Sequence, residues 1–151
     1  MHDLSLRSPY LVVATAATFL HRFYTRVSLK PAAWDTLASV AFFLASKTEE
    51  NQRPLKYIVA VTLALNAGRV PIESPPKSFR YQYDDTDPNF VELRRGVLYW
   101  EEVMLRTLCF DLTVGHPNWC MVRCVDQGWK GGRRAEGERL KRAAWHFLGD
   151  R

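Results

Sequence analysis

An all-helical bundle is the fold class this sequence predicts, on three observations. Apolar residues recur at helical steps along most of the chain, and strand-like alternation is rare. Prolines stand where helical runs begin, the one place in a helix where a missing N–H costs nothing. Of the 151 residues, 47% are hydrophobic and 13% aromatic, enough to fill a core and too many for a disordered chain. The length suits one compact domain or slightly more. No internal repeat or low-complexity tract interrupts it.

The first helix is expected over residues 9–25, with Val12, Ala16, Phe19, Leu20 and Phe23 as its apolar stripe. A short link, 26–30, leads to Pro31, which opens a second helix reaching residue 48. There Leu37, Val40, Leu44 and Lys47 follow at steps of three, four and three, so an apolar stripe ends in one lysine on the same face. Ala38, Ala41 and Ala45 lie beside it. Small residues let neighbouring helices come close, which makes this helix the expected centre of the bundle.

A third helix starts near Pro54 and ends near Asn66, before Gly68. Residues 68–87 contain Pro71, Pro75 and Pro76 and several charges, and they read as a long exposed loop. Asp87-Pro88 is a helix-start signal, an acceptor side chain at the cap followed by proline. The fourth helix then runs to about residue 108, with Val97, Glu101, Met104, Leu105 and Leu108 on one face. Residues 110–117 form a linker. A fifth helix is expected over 117–127, a glycine-containing break over 128–132, and a sixth helix over 134–148.

Several chemistries find no support. GxGxxG and GxxxxGK[ST] are missing, so nothing in the motifs cradles a nucleotide. His2, His21, His116 and His146 form neither HExxH nor an i,i+4 histidine pair. Cys120 and Cys124 could share a metal with His116, but the spacing matches no zinc pattern, and buried reduced thiols are the better reading. Glu49-Glu50 and Glu101-Glu102 are adjacent pairs. Helical neighbours point about 100° apart, so neither is an acid–base dyad. No serine or cysteine nucleophile has a plausible base. The expectation is a protein without catalysis, cofactor or metal. The first eight residues lack a secretory signal, and the apolar stretch from Tyr10 to Leu20 is too short to span a bilayer. A soluble intracellular protein with no membrane partner is therefore expected.

Four segments then occur in order. They are Phe19-Leu20-His21-Arg22-Phe23-Tyr24; Phe42-Phe43-Leu44-Ala45-Ser46-Lys47-Thr48-Glu49-Glu50; Glu101-Glu102 followed by Leu105, Leu108 and Cys109-Phe110-Asp111-Leu112; and His116-Pro117. Together they resemble the cyclin box. Their forms are most similar to transcriptional cyclins such as cyclin K, T, L and C, and to fungal subunits of kinases acting on the RNA polymerase tail. The resemblance covers roughly residues 9–148. It implies a first cyclin box over residues 1–112 that lacks its first helix and carries a long loop at 68–87. It also implies a linker and the first two helices of a truncated second box over 113–151. The chain is on this reading a fragment, a truncated gene model or a divergent form.

By the same resemblance the protein is a nuclear regulatory subunit. It would bind and activate a cyclin-dependent protein kinase, of the kind that phosphorylates the RNA polymerase II C-terminal domain. Cyclins pack against the kinase C-helix, and the kinase-binding residues implied here are Leu44, Lys47, Glu101, Leu105, Phe110 and Leu112. Lys47 and Glu101 would reach main-chain groups beside that helix. The leucines with Phe110 would form an apolar pocket.

Plainer readings stand beside these. A lysine at a helix end favours the negative end of the dipole whatever its function. Leu44, Leu105 and Leu112 could be ordinary core. His21 and Arg22 read as internal packing and hydrogen-bonding residues, and Glu49 and Glu50 as charges solvating a helix end. The formal charge of +5 allows an acidic partner or nucleic acid but requires neither. The basic residues of 130–142 read as a solvated helix face, with RNA or the phosphorylated polymerase tail as possible contacts. The alternative function is a nucleic-acid-binding cyclin-fold adaptor resembling transcription factor IIB. Against it stands Glu101, since a carboxylate repels phosphate.

Overall fold

The computed structural model describes residues 10–28, 34–68, 84–128 and 134–149. Its regular elements are all helices: α1 (Tyr10–Tyr24), α2 (Trp34–Thr48), α3 (Leu55–Asn66), α4 (Pro88–Thr107), α5 (Pro117–Gly128) and α6 (Arg134–Gly149). The expected all-helical class is what the chain adopts. The helix starts expected at Pro9 and Pro31 fall outside the described residues, as does loop 69–83. The chain divides into two compact units, residues 1–112 and 113–151.

In the first unit α2 packs against α1, α3 and α4. Its sequence explains why it can. Leu37, Val40, Ala41, Ala45 and Ser46 are wholly buried, and Ser39, Phe43 and Leu44 are nearly so. Two alanines and two serines keep the helix slim where three others press on it. The serines bring polar groups inside, and each hydroxyl is satisfied locally. Ser39 Oγ reaches the Asp35 carbonyl at 2.8 Å and the Thr62 hydroxyl at 2.7 Å, and Ser46 Oγ donates to the Phe43 carbonyl at 2.7 Å. Such bonds remove the desolvation penalty that an orphan hydroxyl would carry.

α1 buries Val12, Ala16, Phe19 and Phe23, the expected stripe, with Leu20 half-buried. α3 and α4 meet through Val59, Ala60 and Phe90, flanked by Leu55, Leu63 and Leu93. Asn66 Nδ2 donates to Asp35 Oδ2 at 2.5 Å and so ties the end of α3 to the start of α2. On α4, Val97, Met104 and Leu108 face the core as their spacing requires.

The helix ends follow from local chemistry. Asp87 caps α4, its carboxylate accepting from the Asn89 N–H at 2.8 Å, with Pro88 directly behind. α2 and α4 end alike. The Asn51 N–H reaches back to the Ser46 carbonyl at 2.9 Å, and the Phe110 N–H reaches back to the Leu105 carbonyl at 3.0 Å. In each case the intervening residue is left-handed, Glu50 at φ 53° and Cys109 at φ 55°. This is the Schellman arrangement, which usually places glycine there.

In the second unit α5 packs on α6. Lys141 pairs with Asp126 of α5 and with Glu138 at 3.2 Å. The Asp126 carboxylate, and then that of Glu138, hold the Lys141 ammonium above the usual lysine range. One expectation is corrected. Cys120 and Cys124, expected to be buried, are exposed free thiols, as is Cys109. Cys109 sits just past the α4 terminus, where the chain has already left the core, and the described outer positions of α5 include Cys120 and Cys124.

The Asp87 cap can be tested alone. Asp87→Ala removes the acceptor without touching the core and is expected to cost about 1 kcal/mol. Urea titration should show a lower midpoint with an unchanged slope. An unaltered midpoint would mean that the cap contributes nothing.

Candidate docking site

Lys47 leaves the C-terminal turn of α2, where the helix dipole already favours a cation. Glu101 leaves the middle of α4, 54 residues away in sequence. Because α2 and α4 pack together, the two side chains meet. Lys47 Nζ donates to Glu101 Oε1 at 2.6 Å. The ammonium also lies 4.0 Å above the centre of the Phe43 ring, a cation–π contact from one turn earlier on α2.

The two partners differ in exposure. The Lys47 side chain is 39% exposed and that of Glu101 12%. The carboxylate therefore sits largely out of water and relies on its cation. The ammonium has three donors and one carboxylate partner, so it keeps donor capacity towards solvent or another molecule.

The other four expected residues are placed as follows. Leu44 is 3% exposed, one turn before Lys47, and belongs to the core, so it could serve a surface only as its floor. Leu105 is half-buried, one turn after Glu101. Phe110 is 66% exposed and is joined to Leu105 by the backbone bond that ends α4. Leu112 is half-buried at the edge of the same unit. The structure thus brings Lys47 and Glu101 together directly, and Leu105 and Phe110 together through their main chain.

Other residues stand differently from their sequence reading. Glu49 does more than solvate a helix end. Its carboxylate accepts from the wholly buried Thr15 hydroxyl at 2.7 Å and so links the end of α2 to α1. Arg22 does hydrogen-bond internally, to the Asp111 carbonyl at 3.3 Å, whereas His21 is exposed. Sequence reasoning missed the connector after α2. A depression of about 360 Å³ is lined by Phe43, Lys47, Gln52, Arg53, Pro54 and Leu55. A larger apolar groove of about 710 Å³ lies between α2 and α3, with Phe42, Tyr57, Ile58 and Val61 on its walls. Both depend on how α2, α3 and their connector are set against one another, a long-range relation that residue spacing does not show.

Among the described residues no group of His, Cys, Asp and Glu side chains could hold a metal ion. No described helix is long and apolar enough to cross a membrane. Of the basic segment 130–142, Lys130 and Arg133 lie outside the described residues. Lys141 is engaged by two carboxylates, and Arg139 and Arg142 are exposed.

The described residues thus form a helical box whose central helix delivers a cation to a carboxylate on a neighbouring helix. The chain belongs to the cyclin family, whose N-terminal domain matches residues 6–113. It is 32% identical over 147 residues to Cyclin pch1 of Schizosaccharomyces pombe, an alignment covering 97% of this chain and 39% of that protein. It is 33% identical over 152 residues to Cyclin-T1-5 of Arabidopsis thaliana, covering 99% of this chain and 24% of the relative. To Cyclin-T1 of Homo sapiens it is 30% identical over 115 residues, 76% of this chain and 14% of the relative. The chain thus spans less than half the length of these relatives.

The unequal exposure of the pair predicts unequal costs. Glu101→Gln should lower stability by under about 1 kcal/mol, because Lys47 can turn to water. Lys47→Met should cost more, about 1–2 kcal/mol, because it leaves a largely dry carboxylate without its cation. Chemical denaturation of both variants checks the order, and equal losses would mean that Glu101 is better hydrated than its exposure implies.

Proposed function

We propose that this chain is a regulatory cyclin that docks on a cyclin-dependent protein kinase and activates it, by the surface that Lys47 and Glu101 define. The single observation that carries the reading is their meeting at 2.6 Å across α2 and α4. The sequence resemblance names these two residues as the polar pair of the docking surface, and their proximity agrees with that role. Family membership over residues 6–113 supports it as well.

The chemistry fits a backbone segment of a partner. An ammonium only donates and a carboxylate only accepts, so the pair can satisfy both polar senses of an exposed main chain. On this reading the apolar part of the surface is supplied by Leu105, Phe110 and Leu112, the residues the resemblance implies, with Leu44 as core behind it. An exposed aromatic among half-buried aliphatics is the composition expected of an interface hot spot. Docking of the kinase C-helix there would favour its inward position, where the kinase lysine–glutamate pair that holds ATP phosphates is complete. The cyclin would act by binding the active arrangement better than the inactive one. Shifting a kinase from mostly off to mostly on needs about 5.5 kcal/mol of differential binding.

The finer reading is a nuclear kinase that phosphorylates the RNA polymerase II C-terminal domain. It rests on the resemblance to transcriptional cyclins and on the likeness to Cyclin pch1 and cyclin-T proteins. Segment 130–142 could contribute to holding that tail or RNA only through its unengaged cations. With Lys141 bound to two carboxylates, we place the principal contact on α2 and α4 instead.

A charge exchange separates docking from folding. Lys47→Glu combined with Glu101→Lys rebuilds an ion pair within the chain but reverses its polarity towards a partner. The double variant should still unfold cooperatively, at a somewhat lower temperature because a carboxylate then stands at the α2 C-terminus and over the Phe43 ring. It should fail to co-purify a cyclin-dependent kinase or to stimulate phosphorylation of a polymerase C-terminal-domain peptide. Unimpaired kinase binding by this variant would end the assignment of the site.

A further inference from the structure

The chain just past α4 is held in an uncommon conformation. Cys109 and Phe110 are consecutive left-handed residues, at φ 55° and 58°, and neither is glycine. For L-residues that region is disfavoured, because Cβ crowds the following carbonyl oxygen. It is least natural for a bulky side chain such as phenylalanine. The ring so placed is 66% exposed, so burial of the ring does not explain the conformation. Something else must hold it.

Two arginines from the end of α1 do. Arg26 Nη1 donates to the Thr107 carbonyl at 2.5 Å and lies 3.1 Å from Cys109 Sγ. Arg22 Nη1 donates to the Asp111 carbonyl at 3.3 Å, with the Asp111 carboxylate 4.0 Å away. The anchored groups stand on both sides of Phe110: Thr107 and Cys109 before it, Asp111 after it. Bonds from a guanidinium are charge-assisted and stronger than neutral ones. A guanidinium also presents several donors from one rigid plane, which suits a clamp on a turn.

We infer that Arg26 and Arg22 are positioning residues, which brace the Cys109–Phe110 turn so that the Phe110 ring is already set for the partner before docking. The inference rests on the kinase-docking reading and adds to it. It makes the end of α1, 81–89 residues away in sequence, a determinant of affinity through Phe110. Without the braces the turn would relax towards ordinary backbone angles, and ordering it again would be charged against binding.

The test is a double-mutant cycle in the full chain with a purified kinase that phosphorylates the polymerase II C-terminal domain. Arg26→Met keeps the aliphatic stem and removes the guanidinium. It should weaken binding about tenfold, and Arg26→Lys, which keeps one cationic donor, should weaken it less. In a Phe110→Ala background the loss from Arg26→Met should fall to about twofold or less, because the ring it positions is gone. Hydrogen exchange of the free chain gives an independent readout. The Phe110 amide, bonded to the Leu105 carbonyl, should exchange faster in Arg26→Met, while amides within α2 keep their rates. Additive losses in the cycle, or unchanged exchange at Phe110, would overturn the inference and leave the docking surface standing. Parental affinity in Phe110→Ala alone would remove the ring from the docking surface and this inference with it, and the charge-exchange variant then decides the rest of the surface independently.

Discussion

The first unit depends on one packing constraint: α2 must be enclosed by three helices and still deliver a charge at its end. Enclosure demands small residues, and Ala41, Ala45, Ser39 and Ser46 supply them. It also demands that no polar group inside be orphaned, and the two serines, Thr15 and Thr62 each find a partner. A helix held in this way has little freedom to shift or rotate. Rigidity is then transmitted to its last turn, where Lys47 emerges at a position fixed by the core and not by a loop.

The same constraint explains why the ion pair is lopsided. α4 lies against α2 along its length, so a side chain in the middle of α4 that points towards α2 is drawn out of water. Glu101 occupies such a place, and Lys47, one turn from the end, does not. A carboxylate there would be costly without a cation. The pairing within the chain gives the largely dry carboxylate a hydrogen-bond donor and fixes how the two side chains point. The Phe43 ring beneath the ammonium limits where it can swing.

Much of the fold could be read from residue order alone because it is local. The α1 stripe of Val12, Ala16, Phe19 and Phe23, the alanines of α2 and the Asp87-Pro88 cap are all short-range signals, and each appears in the structure as its chemistry requires. Long-range relations were not legible in the same way. Nothing in the spacing of residues 47 and 101 says that they touch; only the resemblance joined them. The bond from Thr15 to Glu49 was invisible for the same reason, since a threonine within an apolar stripe and a glutamate at a helix end each look ordinary alone. The exposure of the three cysteines went against composition. Cysteine is usually buried, but the ends and outer faces of helices impose exposure whatever the residue type.

The turn at Cys109–Phe110 shows where local rules stop being sufficient. A left-handed helix end normally announces itself by glycine, as Gly68 does after α3 at φ 64°. After α4 the same geometry is reached by a cysteine and then extended by a phenylalanine. Intrinsic preference therefore opposes the conformation, and distant bonds must maintain it. Strain of this kind survives only where the surroundings over-determine it. Here the surroundings are the Schellman bond from Phe110 to Leu105 and two guanidinium contacts from α1. The result is an aromatic ring left in water, 66% exposed, on a backbone fixed by contacts from α1 and from the end of α4. Stability alone does not call for that arrangement, because glycine at both positions would remove the strain and the exposed ring together. What the arrangement does provide is an exposed ring whose backbone is fixed by residues distant in sequence, and that is the feature the proposed docking would use.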